Sequence, residues 1–299
     1  MVGQALGPTP GGQDLEIALN RRTTTAGLAL AGAGACLALA AFVAGIGAVS
    51  ANGGTTMRLP PLAQDRIYGA PAARGRPIVV IDAGHGGADP GALSVSGQAR
   101  EKDLTLLAAR ELRDALVARG RVRVAMTRDA DVYVSLDDRA AVARRLNAAL
   151  FVSVHMDSAA NPLARGASVY SLSDVASDAE SARLAAVQNR GVAIGSGDSN
   201  SVRSILADLA MRSQMTASAD LATRLVAKAS GRFDLRPQPH RFAAFHVLRR
   251  ADAPAVLFEA GYLSNEADEA LLRDPRHRHA LVLALADAIE SDVAARSRR

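Results

Sequence analysis

The sequence predicts an α/β fold: a single domain built on a mainly parallel twisted sheet covered by helices, with an inserted helical regulatory segment. Three observations carry that expectation. Short runs such as Ile78-Val79-Val80-Ile81 and Leu150-Phe151-Val152 have the unbroken hydrophobicity of strands buried on both faces. They alternate with segments whose apolar residues recur at helical spacing, the rhythm of strand–helix–strand units. And 299 residues, 49% of them hydrophobic, make one or two globular domains rather than a disordered or collagen-like chain.

The first stretch stands apart from that rhythm. Residues 26–50 carry no charge, follow Arg21-Arg22 directly and end in Val49-Ser50-Ala51, a small-residue cleavage pattern. Residues 1–51 therefore read as an export signal, of twin-arginine or Sec type, or as an uncleaved membrane anchor, since the run exceeds a signal core of about 7–15 residues. Residues 52–75, with Asn52-Gly53-Gly54 and Pro60-Pro61, read as a linker. The rest of the chain is expected outside the cytoplasm, in the periplasm, touching a membrane only through the N-terminal segment.

Within 76–295 the elements follow in order. A buried strand at 78–81 leads to an amphipathic helix through Leu104, Leu107, Ala108, Leu112, Ala115 and Leu116 that stops near Gly120. A strand at 122–126, a helix at 137–147 and strands at 150–154 and 168–172 come next. Residues 174–215 break the pattern with a helix near 180–189, a Gly-Ser-Asp-Asn stretch at 195–200 and a second helix from about 202, so they read as an insertion. A helix at 216–230, strands at 245–248 and 255–258 and a helix at 276–294 complete the domain.

Charge and cysteine content narrow the chemistry. Thirty-five basic and thirty acidic residues give +5 with no clustered basic stripe, which argues against a nucleic-acid partner. The single cysteine, Cys36, excludes an intrachain disulfide and a cysteine-ligated zinc site.

The polar residues at the strand ends carry the functional reading. His85, in Gly84-His85-Gly86-Gly87, follows the first strand; His155 ends the run 150–154; Glu259 ends the run 255–258. In an open α/β sheet the carboxyl ends of the strands form the ligand crevice, and Glu101 opens the helix that starts on the same edge. Two imidazoles and a carboxylate leave the fourth position of a tetrahedral zinc open to water, the pattern of a catalytic site, and Glu259 is then placed to move a proton. Taken singly, each has a plainer reading: His85 as a turn residue, His155 as a core histidine, Glu101 as a first-turn helix charge. His240, His246, His277 and His279 lie in polar or arginine-rich settings and read as surface residues. The metal site alone leaves open another zinc peptidase or carboxypeptidase, and a catalytically silent binding module.

Four blocks carry a more specific likeness: residues 81–92 (IDAGHGGADPGA), Arg100-Glu101-Lys102-Asp103, Val152-Ser153-Val154-His155 and residues 256–265 (VLFEAGYLSN). In this order they resemble the zinc-dependent N-acetylmuramoyl-L-alanine amidases, the periplasmic cell-division amidases, over about residues 76–290. The resemblance implies one zinc ion held by His85, Glu101 and His155, Glu259 as the catalytic carboxylate, and peptidoglycan as substrate, cut between N-acetylmuramic acid and L-alanine for septum splitting. It also implies that 174–215 takes the place of a helix that occludes the zinc until a LytM-type activator displaces it. Gln188 stands at the plugging position, and Glu180 is the one glutamate of the insertion, so both are candidate occluding residues.

Overall fold

The computed structural model describes residues 66–190 and 202–298. Its sheet contains β1 (Ile67–Tyr68), β2 (Ile78–Ala83), β3 (Arg123–Met126), β4 (Leu150–Asp157), β5 (Ala167–Leu172), β6 (Leu235–Ala243) and β7 (Ala255–Tyr262). They lie in the order β1-β3-β2-β4-β7-β5-β6. The pairings β2–β3, β2–β4, β4–β7 and β5–β6 are parallel, whereas β1–β3 and β5–β7 are antiparallel. The sheet is mixed and mainly parallel, as the apolar runs predict.

Helices α1 (Glu101–Arg119), α2 (Leu136–Arg145), α3 (Ala179–Gln188), α4 (Val202–Ala229), α5 (His246–Arg249), α6 (Glu266–Arg273) and α7 (Pro275–Arg296) cover it. Every residue of β2, β4 and β7 is buried, because helices close both faces. Ile81, Val152, Val154 and Phe258 pack against α1, α7 and the C-terminal part of α4. Val80, Phe151, Tyr170 and Leu257 pack against α2, α3 and α5. Side chains alternate along a strand, so Asp82, Ser153, His155, Asp157 and Glu259 fall on this second face by parity with Val80, Phe151 and Leu257. The register seats them together, with Asp82 beside Ser153 and His155 beside Glu259.

Helix α1 fixes the other side of the crevice. Leu112 and Leu116 are fully buried, each worth about 1.5–3 kcal/mol of transfer free energy, and lock its apolar stripe onto the sheet. Its first turn carries Glu101 and Asp103, where the helix dipole favours negative charge, and Gly120 ends it in the left-handed conformation.

Several expectations need correction. Residues 67–68, placed in the linker, pair with β3 as an edge strand. The strand expected at 245–248 is instead the turn of helix α5, and the strand in this region is β6, at the sheet edge where Pro237 and Pro239 are tolerated. The boundary at 215/216 falls inside the single helix α4. Met211 and Met215 pack with one layer, and Leu221, Ala222 and Leu225 with the other. Between them Ser218 accepts a hydrogen bond from Ala255 N, 2.9 Å away at the start of β7. Helix α6, begun by the Asn265 cap, had no counterpart in the sequence reading. The export segment 1–51 and the 195–200 stretch lie outside the described residues.

Candidate metal centre

The crevice is built from three carboxyl-terminal strand ends and one helix start. After β2 the chain turns through Gly84-His85-Gly86-Gly87, with His85 itself at φ 60°. Arg139 on α2 holds this loop, donating to His85 O at 2.6 Å and Ala83 O at 2.6 Å while pairing with the buried Asp82 at 2.8 Å. Arg128 grips the same loop through Ala83 O and Gly84 O, both at 2.8 Å. Ser153 and Thr127 also donate to Asp82, each at 2.6 Å. Burial disfavours the Asp82 charge, but Arg139 and the two hydroxyls outweigh it and bring the pKa down to about 2.

On this base the structure brings His85, Glu101 and His155 together, with one ligand atom from each lying within 4.8 Å of the others. Asp89 takes the Nδ1 side of His85 at 2.8 Å, fixing the ring. His85 Nε2 then sits 3.0 Å from Glu101 Oε2 but off a hydrogen-bonding line, so it is buried without a hydrogen-bond partner. Glu101 Oε1 accepts from Met156 N at 2.9 Å and lies 3.0 Å from His155 Nδ1, while Oε2 accepts from Ala92 N at 2.8 Å. Burial opposes the Glu101 charge, yet the two imidazoles hold its carboxyl well below the usual range. The same carboxylate, with Asp89, overcomes burial and carries His85 up to about 10. The two imidazole rings stand edge to face, 4.9 Å apart.

Two glycines leave room for this packing. A Cβ on Gly84 would come 2.4 Å from the His155 ring, and one on Gly91 would come 2.6 Å from Glu101 Oε2 and 2.7 Å from His85. The donor set, the aligned second partners and the orphaned His85 Nε2 fit a zinc ion, which takes nitrogen and carboxylate ligands in this number.

Glu259 is fully buried beside His155, and neither of its oxygens has a hydrogen-bond partner in the structure. Burial, with the negative charges of Asp157 and Glu101, raises its pKa well above the usual carboxyl range. Ser168 is its register partner on β5, and the hydroxyls of Ser168 and Tyr170 are likewise buried without partners on this face. Asp157, pushed up to about 6 mainly by burial, completes a polar group that sequence reasoning missed, along with Asp89 and Arg139. Asp89 was the most legible of these: a carboxylate four residues beyond a histidine in a glycine-rich loop.

Helix α3 lies over this chamber. Leu184 and Ala185 pack with Tyr170 and Leu257, and Gln188 Nε2 reaches 3.4 Å from His155 Nδ1. Glu180 does not reach the centre. Its carboxylate pairs with Arg236 through two contacts of 2.9 Å and accepts from Tyr262 at 3.1 Å. Of the remaining histidines only His279 is exposed. His240, His246 and His277 are half-buried, the first two held by Ser171 and Asp137.

Comparisons with known proteins agree on one family. A family profile described as N-acetylmuramoyl-L-alanine amidase matches residues 79–291. The chain is 37% identical to the N-acetylmuramoyl-L-alanine amidase AmiC of Neisseria meningitidis over 72% of its own length and 52% of that protein's. It is 32% identical to AmiA of Escherichia coli, covering 73% of this chain and 76% of the relative. It thus spans about half the length of the first and three quarters of the second. The solved structure of AmiC2 from Nostoc punctiforme superposes with a TM-score of 0.53 at 26% identity, over 75% of this chain and 99% of that one. The chain belongs to the N-acetylmuramoyl-L-alanine amidase family.

Proposed function

We propose that this protein is an exported zinc hydrolase that cuts the amide between the lactyl carboxyl of N-acetylmuramic acid and L-alanine in peptidoglycan, in the service of septum splitting. The observation that carries the reading is the convergence of His85 Nε2, Glu101 and His155 beside the buried carboxyl of Glu259. His85, Glu101 and His155 would hold the zinc, which supplies Lewis acidity to the scissile carbonyl and to an attacking water. The charge of a bound cation beside Glu259 would offset the burial that keeps its carboxyl protonated, so that Glu259 takes the proton released by that water and delivers it to the departing amine of L-alanine, leaving a carboxylic acid on the sugar. Asp89 keeps His85 turned towards the centre, and Arg139 and Arg128 hold the loop backbone that carries it.

Helix α3 regulates access in this reading. Its Leu184 and Ala185 pack in the apolar layer of Tyr170 and Leu257, and its Gln188 side chain reaches the metal-binding histidine, so an activator of LytM type would work by lifting it. Segment 1–51 supplies export, and exchanging Arg21 and Arg22 for Lys separates the routes: a blocked precursor supports the twin-arginine route, and normal export refutes it.

The decisive experiment joins metal analysis of the purified protein with mass spectrometry of digested sacculi. One zinc per chain and release of peptides with a free L-alanine amine are expected, both lost in His85→Ala. Cleavage within the stem peptide would overturn the amidase reading, and binding without cleavage would make the protein a wall-binding module.

A further inference from the structure

Tyr133 is the most exposed aromatic side chain among the described residues, at 63%, in a chain with only ten aromatics. Its backbone, by contrast, is fixed. Gly86 and Gly87 have φ 127° and 59°, and a Cβ on Gly86 would come 2.3 Å from Val132 O and one on Gly87 2.5 Å from Tyr133 N. The chain at 132–133 therefore lies directly on the His85 loop. Asp131 pins it there, accepting from Gly87 N at 2.7 Å and from Lys102 Nζ at 2.7 Å, while Lys102 also donates to Gly87 O at 2.8 Å. On the other side Ser135 caps α2.

The Tyr133 ring itself has neither a hydrogen bond nor a stacking partner among the described residues. It stands at the rim of a cleft of about 520 Å³ that it lines together with His85, Glu101 and Asp157. A large ring left open on a rigid support costs little entropy to use, and its apolar face with a polar tip suits a partner that is itself apolar on its face and hydroxylated at its edge. A pyranose ring has that form.

We propose that Tyr133 is a stacking platform for the amino-sugar ring that carries the scissile amide, making it a specificity determinant for glycan-attached peptide over free peptide. This rests on the amidase reading above. Stacking orients the sugar so that its lactyl carbonyl enters the cleft towards His85 and Glu101.

The chain contains no tryptophan, so Tyr133→Trp introduces a single tryptophan at the platform, whose emission is excited selectively over that of the three remaining tyrosines. Titration of the full chain carrying that substitution with peptide-free glycan strands is expected to give a saturable blue shift, and free stem tetrapeptide none. On soluble uncross-linked peptidoglycan, Tyr133→Ala is expected to raise KM about tenfold with kcat and metal content unchanged, while Tyr133→Phe stays within about twofold of the parent. Absence of a shift with glycan, a shift with tetrapeptide alone, or a parental KM in Tyr133→Ala would each overturn the assignment. The fluorescence reads sugar contact without turnover. A glycan shift in a protein that releases no L-alanine-terminated peptide would thus refute the amidase reading and leave the platform standing.

Discussion

Gly84→Ala tests how tightly the metal centre is packed. The added methyl would lie 2.4 Å from Cε1, 2.6 Å from Nε2 and 2.7 Å from Nδ1 of His155. Non-bonded carbons settle at about 3.5–4 Å, so a separation of about 1 Å more is required. Gly84 cannot retreat: its N–H donates to Val154 O at 3.1 Å, and its carbonyl accepts from Thr105 at 2.9 Å and Arg128 at 2.8 Å. The imidazole must move instead, although metal–ligand distances tolerate only about 0.2 Å. Changes to groups that merely orient ligands cost about 10–100-fold in metal affinity, so displacing a ligand by this much should cost at least about 100-fold. Overpacking should take a further 1–3 kcal/mol, roughly, from stability. Competition with a chromophoric chelator gives the zinc affinity, and thermal unfolding shows that the fold survives. Gly97→Ala is the control, since a Cβ there meets nothing within 4 Å although φ is 70°; it should lose some stability and keep the metal. A folded Gly84→Ala protein with parental zinc affinity would refute the placement of His155 in the ligand set.

Under the proposed function, Glu259→Gln should retain zinc and lose about 10²–10⁴-fold in turnover, because it would remove the proton carrier without removing a ligand; near-parental kcat would leave Glu259 a packing residue. Asp82→Asn breaks a buried ion pair and should cost about 3–5 kcal/mol at pH 7, read by urea unfolding. The folded pKa of Asp82 is depressed, so its stabilisation is present above the ordinary value of 3.8 and lost as the pH falls towards about 2, and the gap between variant and parent should narrow by about 2–2.5 kcal/mol over that window without closing. Arg236→Ala frees Glu180 and loosens α3, so the basal rate on purified peptidoglycan should rise severalfold; an unchanged rate would mean that this tether does not hold the helix over the site.

The apolar runs ending at 81, 154 and 258 were legible because only Ser153 interrupts them, but β2, β4 and β7 continue to Ala83, Asp157 and Tyr262, so His155 and Glu259 lie within strands rather than just past their ends. The convergence of His85, Glu101 and His155 followed from their sharing one sheet edge. Strand β6 was hidden because two prolines and three exposed residues at an edge look like a loop, while the apolar Phe245–Leu248 stretch looks like a strand although it makes a helical turn. The role of Arg139 was invisible for a different reason. Besides Asp82, it holds the His85 loop through backbone carbonyls 54 and 56 residues away, and carbonyls leave no mark on a sequence. Glu180 misled because composition says that a carboxylate is present but not which arginine will claim it.

Helix α4 has a mechanical consequence. Its 28 residues contain neither glycine nor proline, so it is a rod of about 42 Å without a built-in hinge. Leu206 and Leu209 near one end stand in solvent, whereas Leu221 and Leu225 further along are sealed in the core. Torque applied at the exposed end has no soft joint in which to dissipate. It either reaches the Ser218 contact with β7, the strand that carries Glu259, or breaks backbone hydrogen bonds on the way. Any truncation of the inserted region must therefore choose where to cut a continuous beam, and a cut at residue 215 would fray the end on which Ser218 and that contact depend.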